Sequence, residues 1–194
     1  MAQLYFKYGT MGCGKSLDLI TTAYNYTKQN KPIIVYTSKI DTRSELNKVE
    51  SRIGNYWEAK YLPETRDEII KDICSEIDEK EKIYCILVDE SQFLNRNQIK
   101  SLAHIVDKYK IPVICWGLKN DFQNNLFNGS KALLEFADKL EPLKTVCTIC
   151  DRKATMNLRL HDGKAVYHGE QIMVGDEEYI PVCRNCYTNY NDLI

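Results

Sequence analysis

The feature that most restricts this chain is an octapeptide, Gly9-Thr10-Met11-Gly12-Cys13-Gly14-Lys15-Ser16. It is set between a β-prone run, Leu4 to Tyr8, and a helical pattern from about Ser16 to Gln29. It fits G-x-x-x-x-G-K-[ST], with a strand before it and a helix after it, as the motif requires. Glycines let the loop curl so that backbone N–H groups surround phosphate oxygens, and the helix N-terminus adds a partial positive charge. Lys15 would reach the β- and γ-phosphates of a nucleotide, and Ser16 would ligate Mg²⁺.

The rest of the pattern is α/β. Leu17, Ile20, Ala23 and Tyr24 mark one side of the first helix, and Asn30 is its stop. Ile33 to Tyr36 is an apolar strand. Thr37 to Tyr61 is polar, carries charges of both signs, and reads as an irregular mobile loop. Thr65 and Glu68 have capping-box spacing ahead of Ile69, Ile70, Ile73 and Ile77. Ile83 to Val88 is a continuous apolar strand, expected to be central and covered on both faces. Asn95 caps a helix bearing Ile99, Leu102, Ala103 and Val106. Pro112 to Trp116 is a further strand, and Leu133, Leu134, Phe136 and Ala137 mark another helix. Strands alternating with helices predict a parallel sheet flanked by helices.

Near Cys147 the period changes. Ala154, Met156, Leu158 and Leu160 alternate with polar residues, Asp162-Gly163 is a two-residue hairpin turn, and Val166 and Tyr167 follow it. The expected division is a nucleotide-binding α/β domain over 1–143 and a small β-rich domain over 144–194. There is no internal repeat and no low-complexity segment.

Composition excludes several classes. Hydrophobic residues make up 44% and charged residues 27%, and the net charge of -1 argues against a broad nucleic-acid or anionic-membrane surface. No apolar run approaches the ~18 residues of a membrane span. The N-terminus begins on a strand-like segment without a cleavable signal pattern, so a soluble, cytoplasmic protein is expected. In that setting the eight cysteines do not suggest a disulfide framework. Cys13, Cys74, Cys85 and Cys115 read as small apolar residues.

The P-loop needs a partner for Mg²⁺. Ile83-Tyr84-Cys85-Ile86-Leu87-Val88-Asp89 supplies one, an apolar strand ending in a carboxylate as in a Walker B element. Glu90 follows and would face the crevice at the carboxyl end of the strand, where open α/β sheets bind ligands. These two motifs leave kinases, ATP-driven machines and GTPases open. Lys119-Asn120-Asp121 holds the residues of a guanine reader in the wrong order.

Cys147-x-x-Cys150 and Cys183-x-x-Cys186 supply four thiolates, enough for a closed tetrahedral Zn²⁺ site of structural type. The 32 residues between the pairs exceed the usual ribbon spacing, but a hairpin inside that stretch can bring the pairs together. A small β-rich unit lacks the core to fold alone, and a metal offsets that.

Further along, the residues match a family. Gly9 to Ser16, Lys39-Ile40-Asp41-Thr42-Arg43, Val88-Asp89-Glu90-Ser91-Gln92-Phe93, Gly117-Leu118, Phe122, Phe127, Tyr179 and the two cysteine pairs occur in one order across nearly the whole chain. That ordered set resembles the type II, cellular-class thymidine kinases. The resemblance implies a P-loop α/β domain, a zinc-bearing domain whose lasso loop closes over the nucleoside, and transfer of the ATP γ-phosphate to the 5′-hydroxyl of thymidine, with deoxyuridine an alternative acceptor. It assigns Glu90 as general base, Asp89 and Gln92 to the nucleotide and metal side, and Arg43 with Asp41 as phosphate- and metal-side helpers. Phe93, Leu118, Phe122 and Phe127 become walls of the thymine pocket, with Met11 near the thymine methyl. Tyr179 is assigned to the lasso, whose backbone at Ile172, Met173, Val174 and Gly175 would bond the base edge. Homotetramers and feedback inhibition by thymidine triphosphate are family traits.

Taken singly, Arg43 reads better as a solvated loop charge and Phe122 and Phe127 as core aromatics, and Tyr179 is one of thirteen tyrosines. His104, His161 and His168 have no metal or catalytic setting. The sequence departs from the family at Thr10, where proline is usual, and at Gly12, where a larger residue is usual. Lys119 stands where aspartate is usual, and Val174 where a glycine is usual. Two other readings remain: a P-loop ATPase whose zinc unit binds nucleic acid or protein, and a nucleotide kinase with a zinc-held lid.

Overall fold

A computed structural model describes residues 1–39, 47–171 and 178–192. The chain opens with β1 (Leu4–Gly9), α1 (Lys15–Lys28) and β2 (Ile33–Thr37). Three short strands follow, β3 (Lys48–Glu50), β4 (Tyr56–Glu58) and β5 (Lys60–Tyr61), and then α2 (Arg66–Lys80) and β6 (Cys85–Val88). A 3-10 turn over Ser91–Phe93 leads to α3 (Arg96–Tyr109), β7 (Val113–Leu118), α4 (Asn128–Phe136) and β8 (Lys139–Pro142). The C-terminal stretch holds β9 (Met156–His161), β10 (Lys164–Val166), β11 (Glu178–Val182) and α5 (Arg184–Thr188).

Six strands form one parallel sheet in the order β5-β2-β6-β7-β1-β8. Its two faces follow from period-two alternation. Phe6, Ile34, Tyr36, Ile86, Val88, Val113 and Cys115 enter the larger core, with Ile69 and Ile73 of α2, Ile99 and Leu102 of α3, and Leu133 of α4. Val35, Cys85, Leu87 and Trp116 point the other way, onto Leu19, Ile20 and Ala23 of α1. Both faces are therefore covered, as the unbroken apolar run before Asp89 predicts. The buried side of α1 is Leu19, Ile20 and Ala23, whereas Tyr24 is 54% exposed, so the face assigned from sequence is rotated by about one residue.

The helix starts are as the sequence predicts. Thr65 and Glu68 form a capping box on α2, and Asn95 forms one on α3 with Gln98 as its partner. Asn30 has φ 55, the left-handed geometry that ends the first helix.

The stretch from Thr37 to Tyr61, read as an irregular loop, is structured over its described part. β3 and β4 pair antiparallel, and β5 adds an edge strand beside β2. Val49 and Ala59 are buried, and both pack in the core around α1 with Trp57 beside them. Only alternate residues of these short strands are apolar, which is why the segment reads as polar. Residues 40–46 lie outside the described residues.

β9 is the centre of a three-stranded antiparallel sheet ordered β10-β9-β11. Asp162 and Gly163 both have positive φ, 49 and 74, as a type I′ hairpin turn requires. This sheet has its own core of Leu158, Leu160, Val182 and Tyr190 with Cys147, Cys183 and Cys186. Among the described residues, no helix is long and apolar enough to cross a membrane.

Candidate functional site

The loop from β1 to α1 is shaped by its glycines. Gly12 and Gly14 have φ +73 and +85, where a side chain is strained. Gly14 is also the N-cap of α1 and has no side chain to cap it, which leaves the first amides of the helix open toward the loop. Lys15 is buried, and its Nζ donates to Thr10 O at 2.8 Å, so its charge folds back over the loop.

Ser16 Oγ donates to Asp89 Oδ2 at 2.9 Å, across 73 positions of sequence. Asp89 is the first residue after β6. Its other oxygen, Oδ1, is buried and, among the described residues, lacks a hydrogen-bond partner. Burial first, and the charge of Glu90 second, push its carboxyl up to about 7, against the stabilising Ser16 hydroxyl. A buried carboxylate oxygen beside a P-loop serine suits a divalent cation or its bound water.

Glu90 does not continue the strand. It takes φ 49 and ψ 36, in the left-handed region, and opens the 3-10 turn. The direction of its side chain is therefore set by this turn and not by strand alternation. Gln92 Nε2 donates to Glu90 Oε2, while Gln92 Oε1 accepts the Leu118 N–H at 3.0 Å. That arrangement explains Gly117. A Cβ there would lie 2.7 Å from Ser91 Oγ and 2.8 Å from Gln92 Oε1, so no larger residue lets the turn after β6 cross the end of β7.

A cleft of about 690 Å³ brings Met11, Gly12, Gly14, Lys15, Ser16, Asp89, Glu90 and Leu118 together. Phe93, Phe122, Phe127 and Tyr179 do not line it. They form two edge-to-face pairs nearby, Phe93 with Phe127 at 5.7 Å and Phe122 with Tyr179 at 6.4 Å between ring centroids. Arg159, from β9, stacks 4.2 Å over the Phe122 ring. Asp41, Arg43, Ile172, Met173, Val174 and Gly175 lie outside the described residues. The near flank of that second segment is tied down: Gln171 Nε2 donates to Asp121 Oδ2 at 2.8 Å, and Gln123 Nε2 to Gly169 O at 2.9 Å.

Sequence reasoning missed two contributors. The β3–β4 hairpin supplies Lys48, Arg52, Ile53 and Gly54 to the cleft wall. Its signal was the Gly54-Asn55 turn pair between Val49 and Trp57. Asn157 reaches the P-loop from β9, and nothing in its sequence neighbourhood marks it.

The four paired cysteines converge. Their Sγ atoms all lie within 4.8 Å of one another, with Cys150 to Cys183 at 3.7 Å and Cys150 to Cys186 at 3.6 Å. A tetrahedral ion with Zn–S bonds of about 2.3 Å sets sulfur–sulfur edges of about 3.8 Å, so the set fits zinc. None of the four is in a disulfide. Burial opposes a charge on Cys147, yet backbone N–H groups of Cys183, Ile149 and Cys150 outweigh it and bring this thiol down to about 7. Cys186 is pushed the other way, up to about 12, by burial first and by the neighbouring cysteines next, so without an ion the four sulfurs do not all favour the thiolate.

The family model for thymidine kinase matches residues 2–187. A thymidine kinase of Streptococcus pyogenes serotype M3 is 50% identical over 190 residues, covering 97% of this chain and 98% of the relative. One from Streptococcus agalactiae serotype Ia is 51% identical over 191 residues, again 97% and 98%. With a Cys₄ cluster beside a parallel α/β sheet and a match over nearly its full length, the chain belongs to the thymidine kinase family.

Proposed function

We propose that the chain transfers the γ-phosphate of ATP to the 5′-hydroxyl of thymidine, and that the 690 Å³ cleft is where this happens. The observation that carries the reading is the Ser16–Asp89 hydrogen bond at 2.9 Å, with Lys15 and Glu90 on the same cleft. Residues 9–16 wrap the phosphate chain, Lys15 turns from Thr10 O to the β- and γ-phosphates, and Ser16 and Asp89 hold Mg²⁺. That ion would neutralise charge on the phosphates. Gln92 orients Glu90, which takes the proton of the acceptor hydroxyl. Phe93, Leu118, Phe122 and Phe127 bound the base, with Met11 beside it and Tyr179 closing over it. Asp41 and Arg43 act from the phosphate side, and the 172–175 backbone bonds the base edge.

We take 1–143 as the nucleotide domain and 144–194 as the zinc and lasso unit, with Zn²⁺ purely structural because four thiolates fill its coordination. A cytoplasmic homotetramer inhibited by thymidine triphosphate and accepting deoxyuridine completes the proposal. The test is γ-labelled ATP incubated with a panel of nucleosides. Label should move to thymidine, to deoxyuridine less well, and to no ribonucleoside. Vigorous ATP hydrolysis that ignores added thymidine would favour the ATPase reading.

A further inference from the structure

The β3–β4 hairpin holds its turn firmly. Val49 at its base is 2% exposed and packs with Leu19, Ile20 and Ala23. At the turn, Ser51 is buried and closes the loop: its N–H donates to Asn55 O at 2.8 Å, and its Oγ accepts the Asn55 N–H at 3.1 Å. Gly54 supplies φ +87 and donates its N–H to Ser51 O at 3.0 Å. A turn anchored this way fixes where its outer residues project.

Arg52 is one of those residues. It lines the cleft with Lys15, Ser16 and Asp89, and its Nη1 lies 3.8 Å from where a Cβ on Gly12 would be. The guanidinium thus stands over the middle of the phosphate loop. The other cations on this cleft wall are engaged. Lys48, on the same hairpin, is paired with Glu50 at 3.7 Å and lies over the Tyr56 ring. Lys15 Nζ is bound to Thr10 O. Arg52 is exposed and, among the described residues, makes no ion pair and no hydrogen bond. A guanidinium held beside amides and a lysine is surrounded by positive potential, which an anion with several oxygens relieves. Its planar fork suits phosphate oxygens two at a time.

We propose that Arg52 binds the terminal phosphates of ATP, as a second cation of the donor site carried by the hairpin. This rests on the cleft being the ATP site, and it adds a residue that neither the P-loop nor the Walker B motif contains. It also gives the hairpin a role in the donor site, because its anchored turn holds Arg52 over Gly12.

The experiment measures equilibrium binding of Mg·AMP-PNP and Mg·ADP to wild type, Arg52→Ala and Arg52→Lys, with thymidine phosphorylation kinetics alongside. Arg52→Ala should weaken AMP-PNP by about tenfold or more, the effect of losing a charge-assisted contact. ADP should weaken less, and kcat/KM for ATP should fall by a factor like that for AMP-PNP. KM for thymidine and the thermal midpoint should hold, and Arg52→Lys should recover part of the loss, as charge without the fork. AMP-PNP affinity within about twofold of wild type in Arg52→Ala overturns the assignment, whatever the activity. A change confined to KM for thymidine also overturns it, by placing Arg52 on the acceptor side. Wild type that binds AMP-PNP through Arg52 yet phosphorylates no nucleoside overturns the proposed function and leaves Arg52 standing.

Discussion

Asn157 Oδ1 accepts the Met11 N–H at 2.7 Å, joining two residues 146 positions apart. Asn157 sits on β9, the central strand of the cysteine-bearing sheet, and is 4% exposed. Its amide Nδ2 also donates to Asn120 O at 3.2 Å, in the segment that follows β7. One side chain therefore links the phosphate loop, the loop leading to Phe122, and the sheet beside the four cysteines. Tyr187, next to Cys186, adds a parallel tie by donating its hydroxyl to Phe122 O at 2.7 Å.

Asn157→Leu keeps the volume but leaves the Met11 N–H and the Asn120 carbonyl without their partner. An unsatisfied buried polar group costs about 1–3 kcal/mol. A fall of about 4–8 °C in the thermal midpoint is expected for about 2 kcal/mol in a chain of this size. KM for ATP should rise several-fold, because Met11 no longer has its amide plane fixed, while zinc content stays the same. A variant matching wild type in both midpoint and KM would show that the strut is idle.

The architecture was legible where local chemistry is strong. The P-loop glycines, the Thr65 and Asn95 caps, the apolar run into Asp89 and the Asp162-Gly163 turn each have one physical solution, and each occurs. What stayed hidden is long-range or short. β8 is a four-residue edge strand mostly exposed to solvent, so it lacks apolar alternation. The β3–β4 hairpin buries few residues, and Asn157 acts through a partner far away in sequence. Strand alternation is a sound rule, but it stops applying two residues after Val88, at Glu90, where the backbone turns left-handed.

Zinc should be retained at about one ion per chain through purification without chelator. Cys150→Ser and Cys183→Ser each remove a ligand from a cluster that holds β9, β11 and α5 together around a core of only a few apolar residues. Stoichiometry and thermal stability should fall sharply, before any change in kcat of the fraction that remains folded. Elemental analysis of active, reduced protein decides the matter: absence of zinc would remove the metal from the fold.

A cluster away from the cleft sets a pH limit. Glu76, on α2 and 6% exposed, meets Lys60 and also Lys80, the latter at 2.5 Å. Burial opposes its charge, but the two lysines outweigh it and hold the carboxyl below its ordinary 4.5. Lys60 is held above its ordinary 10.5, first by its bond to Glu76. A depressed acid adds stability that is full above the unfolded pKa and vanishes as pH falls through the folded one. A raised base adds stability that is full below its unfolded pKa and vanishes as pH rises through the folded one. The pair therefore supports the fold between those limits and weakens below about pH 4.5. Glu76→Gln should lower the midpoint at pH 7 and flatten the acid limb of a stability–pH curve. An unchanged acid limb would mean that other carboxylates set it.

The sharpest chemical prediction concerns Glu90. Phosphoryl transfer needs an acceptor oxygen in line with the γ-phosphate, and the proton of that hydroxyl must leave. Glu90 is a carboxylate beside Asp89 on the cleft wall, 8% exposed, with Gln92 Nε2 bound to one of its oxygens. Gln92 is in turn fixed by the Leu118 amide, so the Glu90 carboxylate is held in place through a neighbouring side chain. Glu90→Gln keeps the size but cannot take a proton, and a loss of ~10²-fold or more in kcat with thymidine is expected, the range for a positioned base. Binding of Mg·AMP-PNP should change little, whereas Lys15→Ala, which removes charge from the phosphates, should abolish turnover. Gln92→Ala makes the complementary case: Glu90 remains but loses its orientation, so kcat should drop by less than in Glu90→Gln. Measuring all three with and without thymidine separates the roles. If Glu90→Gln instead abolished ATP hydrolysis that needs no thymidine, the carboxylate would be polarising water, and the acceptor hydroxyl would not be its substrate.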